Sequence, residues 1–172
     1  MYMKLVFKVS LIFLSALMVV NTIEAKKYPF KIDSLREVYV SRSSSPGTKM
    51  LTVVAYGRTT DSAIEQAMLD AVVALAFDGA VGKNEMENCP AVLLNGREKY
   101  KDNQVFFDNF FKNGDFLKYV DKVNTSFPSG ANNVKTKKGR RVQILLIVNW
   151  NGLADYFRKA GYKTAISELS NY

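Results

Sequence analysis

The sequence predicts an α+β domain: a mostly antiparallel sheet of about four strands, with helices packed on one face. Three observations carry this expectation. Two β-rich stretches, Leu35–Ser41 and Met50–Tyr56, flank the turn cluster Ser43–Gly47, which reads as a hairpin. The apolar period then changes to three and four residues between Thr59 and Phe77, the spacing of one helical face. Late in the chain Arg141–Val148 is an almost unbroken apolar run, the strongest strand signal present. The resulting order of strand, strand, helix, helix, strand, strand, helix favours helices segregated to one side of an antiparallel sheet.

Taken in order, residues 26–34 (KKYPFKIDS) read as an irregular lead-in. The first helix carries Ile64, Ala67, Met68, Ala71, Val72, Leu75 and Ala76 on one stripe, whose alanines suit close approach to a sheet. Ser62 with Glu65 fits a capping box, and Thr60 is an equal candidate for the cap. Asp61 suits the positive end of the helix dipole, and Gly79 and Gly82 stop the helix. Residues 80–97 mix Gly, Asn and Pro and read as a loop with a short apolar element at Ala91–Leu94. Tyr100–Lys112 reads as a second helix ended by Asn113-Gly114, and Phe116–Phe127 as a strand broken by Pro128-Ser-Gly130. Val134–Thr136 starts a strand that turns at Lys138-Gly139 into Arg141–Val148, a central strand expected to be covered at least partly on both faces. Asn151–Ala160 is a closing helix stopped by Gly161. No internal repeat or linker interrupts residues 26–172, so one domain is expected there.

The start of the chain has the three parts of a secretory signal peptide. A basic opening with Lys4 and Lys8 precedes the apolar run Val9–Val20, and Asn21–Ala25 adds polarity and a small residue. The run is about a dozen residues, where a spanning helix needs about 20, so cleavage after Ala25 is expected rather than retention as an anchor. The chain is then read as periplasmic or secreted. The only cysteine, Cys89, lies far downstream, which excludes lipidation at the new N-terminus and any internal disulfide. Burial is the expected fate of its thiol.

The formal net charge is +8, and removing residues 1–25 leaves +7. A basic surface favours acidic partners. The chain holds no histidine, which removes Ser-His-Asp and Cys-His catalysis together with the commonest transition-metal ligand. Scattered carboxylates such as Asp108, Asp115 and Asp121 form no recognisable acid–base pair. Asn84, Glu85, Glu87 and Asn88 cluster oxygen donors but lack the alternation and turn glycine of a calcium loop. Gly57-Arg-Thr59 lacks the phosphate-loop pattern and reads as a structural turn. No enzyme activity, metal or cofactor is expected.

Two features remain as candidate contacts. Lys135, Lys137, Lys138, Arg140 and Arg141 place five cations in seven residues, either as a docking site for an anionic partner or as a solvated turn that keeps strands from pairing elsewhere. Export and the lack of interleaved aromatics in this segment argue against nucleic acid. Phe106, Phe107, Phe110, Phe111, Phe116 and Tyr119 bring enough apolar area to build a core, although two adjoining arcs of Phe on one helix need a neighbour to cover both. An exposed pair there would mark a partner or membrane-surface contact.

Val53–Thr59, followed by Ala63, Ala67 and Ala71 at four-residue steps, resembles the opening of the flagellar assembly protein T N-terminal domain and of related small envelope proteins. Phe116–Val120, Arg141–Asn149 and Leu153–Gly161 resemble that family's later strands and closing helix, so the resemblance spans roughly residues 50–161. It implies an α+β domain in the periplasm at or near the outer membrane, acting as a non-enzymatic part of an envelope assembly. The expectation is therefore an exported domain that binds an envelope protein or an anionic envelope polymer, with peripheral membrane association compatible. The alternative is a solute- or polysaccharide-binding module, which requires a concave pocket lined by aromatic and polar groups.

Overall fold

Backbone pairing turns the predicted hairpins into a five-stranded antiparallel sheet, one strand more than the four or so expected. The computed structural model describes residues 26–43, 45–82, 88–123 and 129–165. Strands β1 (Glu37–Ser43) and β2 (Thr48–Gly57) form the first hairpin. β2 continues onto β5 (Gly139–Asn149), whose far edge takes both β3 (Val120–Lys122) and β4 (Asn133–Thr136). The expected signal segment 1–25, the end of the predicted Phe116–Phe127 strand, the Asn84–Glu87 donors and the tail after Ala165 lie outside the described residues.

One face of this sheet is buried. Leu51, Val53 and Ala55 of β2 lie directly opposite Leu146, Ile144 and Val142 of β5, and all six are buried. Val38 and Val40 extend the same layer into β1, and Val120 into β3. β5 is central as expected, but its burial alternates: Gln143 is exposed and Leu145 and Ile147 are half-buried. The second face is thus covered in part, as expected: its leucine and isoleucine are half-buried with no helix over them among the described residues.

Helix α1 (Thr60–Val73) lies on the buried face, against β2 and β5. Ala63, Ala67 and Ala71 are fully buried, and their small side chains let the helix axis come close to the strands. Every residue from Leu69 to Phe77 is buried, so the second half of the helix is enclosed on all sides, whereas the first half keeps a face towards solvent with Asp61 exposed and Ser62 and Glu65 half-exposed. It ends in a wider π-type turn, Ala74–Asp78, closed by Gly79 N–H donating to the Ala74 carbonyl at 2.7 Å. The freed carbonyls of Leu75 and Ala76 accept from the N–H groups of Val92 and Leu93, so the 91–94 segment satisfies the helix end. Cys89 is buried as expected.

The predicted Tyr100–Lys112 helix is two helices, α2 (Gly96–Asp102) and α3 (Gln104–Lys112), broken at Asn103. The break lets the Tyr100 hydroxyl donate to Asp108 Oδ1 at 3.0 Å while Phe107, Phe110 and Phe111 turn into the core. The start of the predicted Phe116–Phe127 strand is instead a 3₁₀ turn, Asp115–Tyr119, and β3 follows it. Gly114 at φ +85° turns the chain so that Phe116 is buried against Tyr28 and Phe111. The closing helix α4 (Trp150–Lys159) covers the second arc of phenylalanines: Phe106 stacks on Tyr156 at 6.0 Å and lies 5.2 Å from Tyr162. The aromatic cluster is thus core, and Phe106 has the neighbour it required.

The lead-in is irregular but fastened. Phe30 stacks on Phe111 at 4.5 Å, and Tyr28 N–H donates to the Lys112 carbonyl at 2.9 Å. Arg97 bridges Asp33 and Asp78, and Lys26 pairs with Glu65. Phe107 is fully enclosed, so Phe107→Ala is expected to cost about 3–5 kcal/mol in denaturant unfolding, whereas Phe106→Ala at the half-buried arc should cost less.

Candidate functional site

The five cations singled out in the sequence are brought together on one hairpin. β4 and β5 pair as Asn133↔Val142, Val134↔Arg141, Lys135↔Arg140 and Thr136↔Gly139, leaving Lys137 and Lys138 as the tip. Residues directly opposite in an antiparallel pair share a face. Lys135 and Arg140 therefore lie side by side on one face, and Arg141 lies on the other. Lys135, Lys137 and Lys138 are exposed, and Arg140 and Arg141 are half-exposed. Among the described residues none of the five takes part in an ion pair.

Two glycines fix this hairpin to the rest of the fold. Gly139 stands at φ +143°, and a Cβ there would fall 2.2 Å from the Gly57 carbonyl oxygen. Gly57 pairs with Arg140 at the end of β2, and a Cβ on it would sit 2.3 Å from the Ala63 backbone nitrogen. Strand end, helix start and hairpin thus meet without side chains between them. This contact adds Arg58, which is exposed, to the same end of the molecule, a sixth cation that sequence reading left in a turn. Its place depends on the long-range pairing of β2 with β5.

The helix cap at this junction differs from both expected forms. Thr59, in extended conformation, is the cap: Ser62 N–H donates to Thr59 Oγ1 at 3.1 Å, and Thr59 N–H donates to Ser62 Oγ at 2.9 Å. The reciprocal box is therefore Thr59 with Ser62, not Ser62 with Glu65, because the bend at Gly57-Arg58 starts the helix one residue before Thr60 could cap it. Glu65 is engaged by Lys26 instead. Asn133 of β4 donates to Thr60 Oγ1 at 3.2 Å and ties the hairpin to the helix start.

A second polar constellation was not anticipated. β1 starts at Glu37, so the edge of β2 that faces it is unpaired from Ala55 to Gly57, and a cleft of about 550 Å³ opens between this edge, the lead-in and α1. Its floor is an ion pair, Arg36 Nε to Asp70 Oδ1 at 3.3 Å, with only 6% and 8% of the two side chains exposed. Gln66 Nε2 donates to the same carboxylate oxygen at 3.0 Å. The guanidinium's Nη groups donate to the carbonyls of Ile32 and Ser34, both at 2.9 Å, and of Lys31. A single aspartate inside an apolar helix gives little local signal of a distant arginine; only its place among buried residues marks it.

Burial pushes the Asp70 carboxyl up to about 6, against the opposing pull of Gln66 and Arg36, and presses the Arg36 guanidinium down. Most of the cleft's polar groups are spent on one another and on backbone carbonyls, although Arg36 Nε, 3.3 Å from the carboxylate, makes no hydrogen bond of its own and Glu37 at the rim is exposed. A broader depression of about 890 Å³ between Asn95 and Lys163 contains cations and amides, and it brings no carboxylate to them.

Two measurements test this geometry. Gly139→Ala should destabilise the fold by about 1–3 kcal/mol in chemical denaturation, because the left-handed turn and the Gly57 contact are both lost. The folded Asp70 carboxyl binds a proton more readily than the unfolded one, whose reference value is 3.8, so this group makes the protein more stable as pH falls through 6 towards 4. The gain from pH 7 to pH 5 should be about 1 kcal/mol, and Asp70→Asn should abolish that part of the pH dependence. Comparisons of the chain with protein-family models, with curated proteins and with solved structures return no match, so its chemistry rests on the geometry above.

Proposed function

We propose that this chain is an exported, non-enzymatic domain of the cell envelope, periplasmic or outer-membrane-associated, that docks onto another envelope component through the basic hairpin. The observation that carries this reading is the set of six cations, Arg58, Lys135, Lys137, Lys138, Arg140 and Arg141, gathered at one end of the sheet with no ion-pair partner among the described residues. Like charges crowded on a two-strand ribbon repel one another, and the rigid glycine junction holds them together regardless. An anionic surface relieves that repulsion on contact. The expected leader at residues 1–25 and the resemblance over residues 50–161 support the compartment.

The competing solute-binding reading needs free polar groups in a concavity. The Arg36–Asp70 cleft has the concave shape and an aromatic wall in Tyr56, but its guanidinium already serves the lead-in's carbonyls. The hairpin's cations have no such internal employment.

Cell fractionation with intact-mass measurement tests the proposal. The protein should partition with the envelope at the mass of a chain starting at Lys26. The variant Lys137→Glu/Lys138→Glu/Arg140→Glu/Arg141→Glu should move several-fold into the soluble exported fraction. Full-length protein in the cytosol, or unchanged retention of the variant, would rule the reading out.

A further inference from the structure

The hairpin's charge does not account for the surface beside it. Val134, Arg141 and Tyr56 are successive partners across β4, β5 and β2, so they form one row on the face of the sheet opposite the helices. Tyr39, Thr52 and Leu145 form a parallel row across β1, β2 and β5. Tyr56 is 55% and Tyr39 50% exposed, although both belong to a residue type that usually buries most of its ring. Four residues of β2 separate the rows, about 14 Å at about 3.4 Å per residue. The row between them is Glu37, Val54 and Gln143, with an exposed carboxylate at one end, a buried valine, and an exposed amide at the other end. No helix described here covers this face.

The surface therefore offers two separated aromatic rings, the Glu37 carboxylate and the Gln143 amide between them, and Arg141 with the Lys137-Lys138 tip at one end. An anionic bilayer would call for apolar side chains projecting past the cations, and the hairpin tip consists of Lys137, Lys138 and Gly139. A plain polyphosphate would use the cations and leave both rings idle. A strand of sugar rings bearing acid groups uses both rings and the cations: tyrosine rings are flat and amphipathic and stack on the C–H faces of sugars, Glu37, Gln143 and Thr52 meet hydroxyls, and Arg141 with the Lys137-Lys138 tip pairs with the acids.

We propose that the outer face of the sheet and the basic hairpin together form a binding surface for an acidic glycan strand. This deepens the docking role proposed above and rests on it.

Titration calorimetry on the purified protein, with alginate, neutral dextran, polyphosphate and phosphatidylglycerol vesicles as probes, tests the inference. Alginate should bind and dextran should not. Tyr39→Ala/Tyr56→Ala should weaken alginate at least fivefold and leave polyphosphate within twofold. Lys137→Glu/Lys138→Glu/Arg141→Glu should weaken both polyanions at least tenfold. Circular dichroism checks that each variant is folded, and Tyr56→Gln alone serves where the double variant is not. The glycan inference is overturned by absent alginate binding, by tyrosine variants that weaken both polyanions equally or neither, or by vesicles that bind more tightly than alginate through the same cations. In those cases cation-dependent retention in cells would still leave the docking role standing. Loss of that dependence would remove the docking role itself.

Discussion

Everything in this fold answers to one helix whose second half is enclosed. From Leu69 to Phe77 α1 has no face towards solvent, so it needs apolar cover on every side. The alanines at positions 63, 67 and 71 meet the sheet closely, where larger side chains would hold the layers apart. Phe77 meets Phe107, Phe111 and Tyr100 on another side. The lead-in adds Phe30, which stacks on Phe111, and Arg36, which meets the one charge the helix carries inside. Removing any of these layers would expose apolar area on the helix and weaken the others, which is why an irregular N-terminal stretch is held by so many separate contacts.

Placing all helices on one side has a consequence for the other. β5 carries leucine and isoleucine on its second face, yet nothing described here lies over them, and neighbouring strand residues cover them only partly. An antiparallel sheet can tolerate this when polar residues share the face, as Thr52, Gln143 and Arg141 do. The layer geometry thus produces, without any dedicated structural element, a wide accessible surface that ends in a cationic ribbon.

Local signals in the sequence were enough for the hairpins, the alanine-striped helix, the basic turn and the use of phenylalanine as core, because each depends on neighbours within a few residues. What escaped depends on long-range meeting. The Thr59 cap is decided by where the Gly57 bend falls against the hairpin. The break at Asn103 is decided by the need to bury Phe107 and Phe111 while Tyr100 reaches Asp108. The turn at Asp115–Tyr119 is decided by Phe116 finding Tyr28, a residue nearly ninety positions earlier. For the candidate site the cations were legible as a run. Their division between two sheet faces, the addition of Arg58 and the alignment of Arg141 with Tyr56 required the β2–β5 register.

The two charged constellations differ in what their charges accomplish. Arg36 and Asp70 are removed from water, and leaving either unmatched would cost several kcal/mol, so the surrounding backbone carbonyls and Gln66 complete the set. Most of this set is already engaged, and an incoming ligand would have to break those contacts before gaining much. The hairpin's cations are exposed or half-exposed, with little desolvation already incurred and no ion-pair partner among the described residues. A polyanion meeting them releases counterions and lessens mutual repulsion, whereas their individual contribution to folding is small. Internal pairing thus ties the cleft to the scaffold, whereas the charge on the hairpin stays unspent among the described residues.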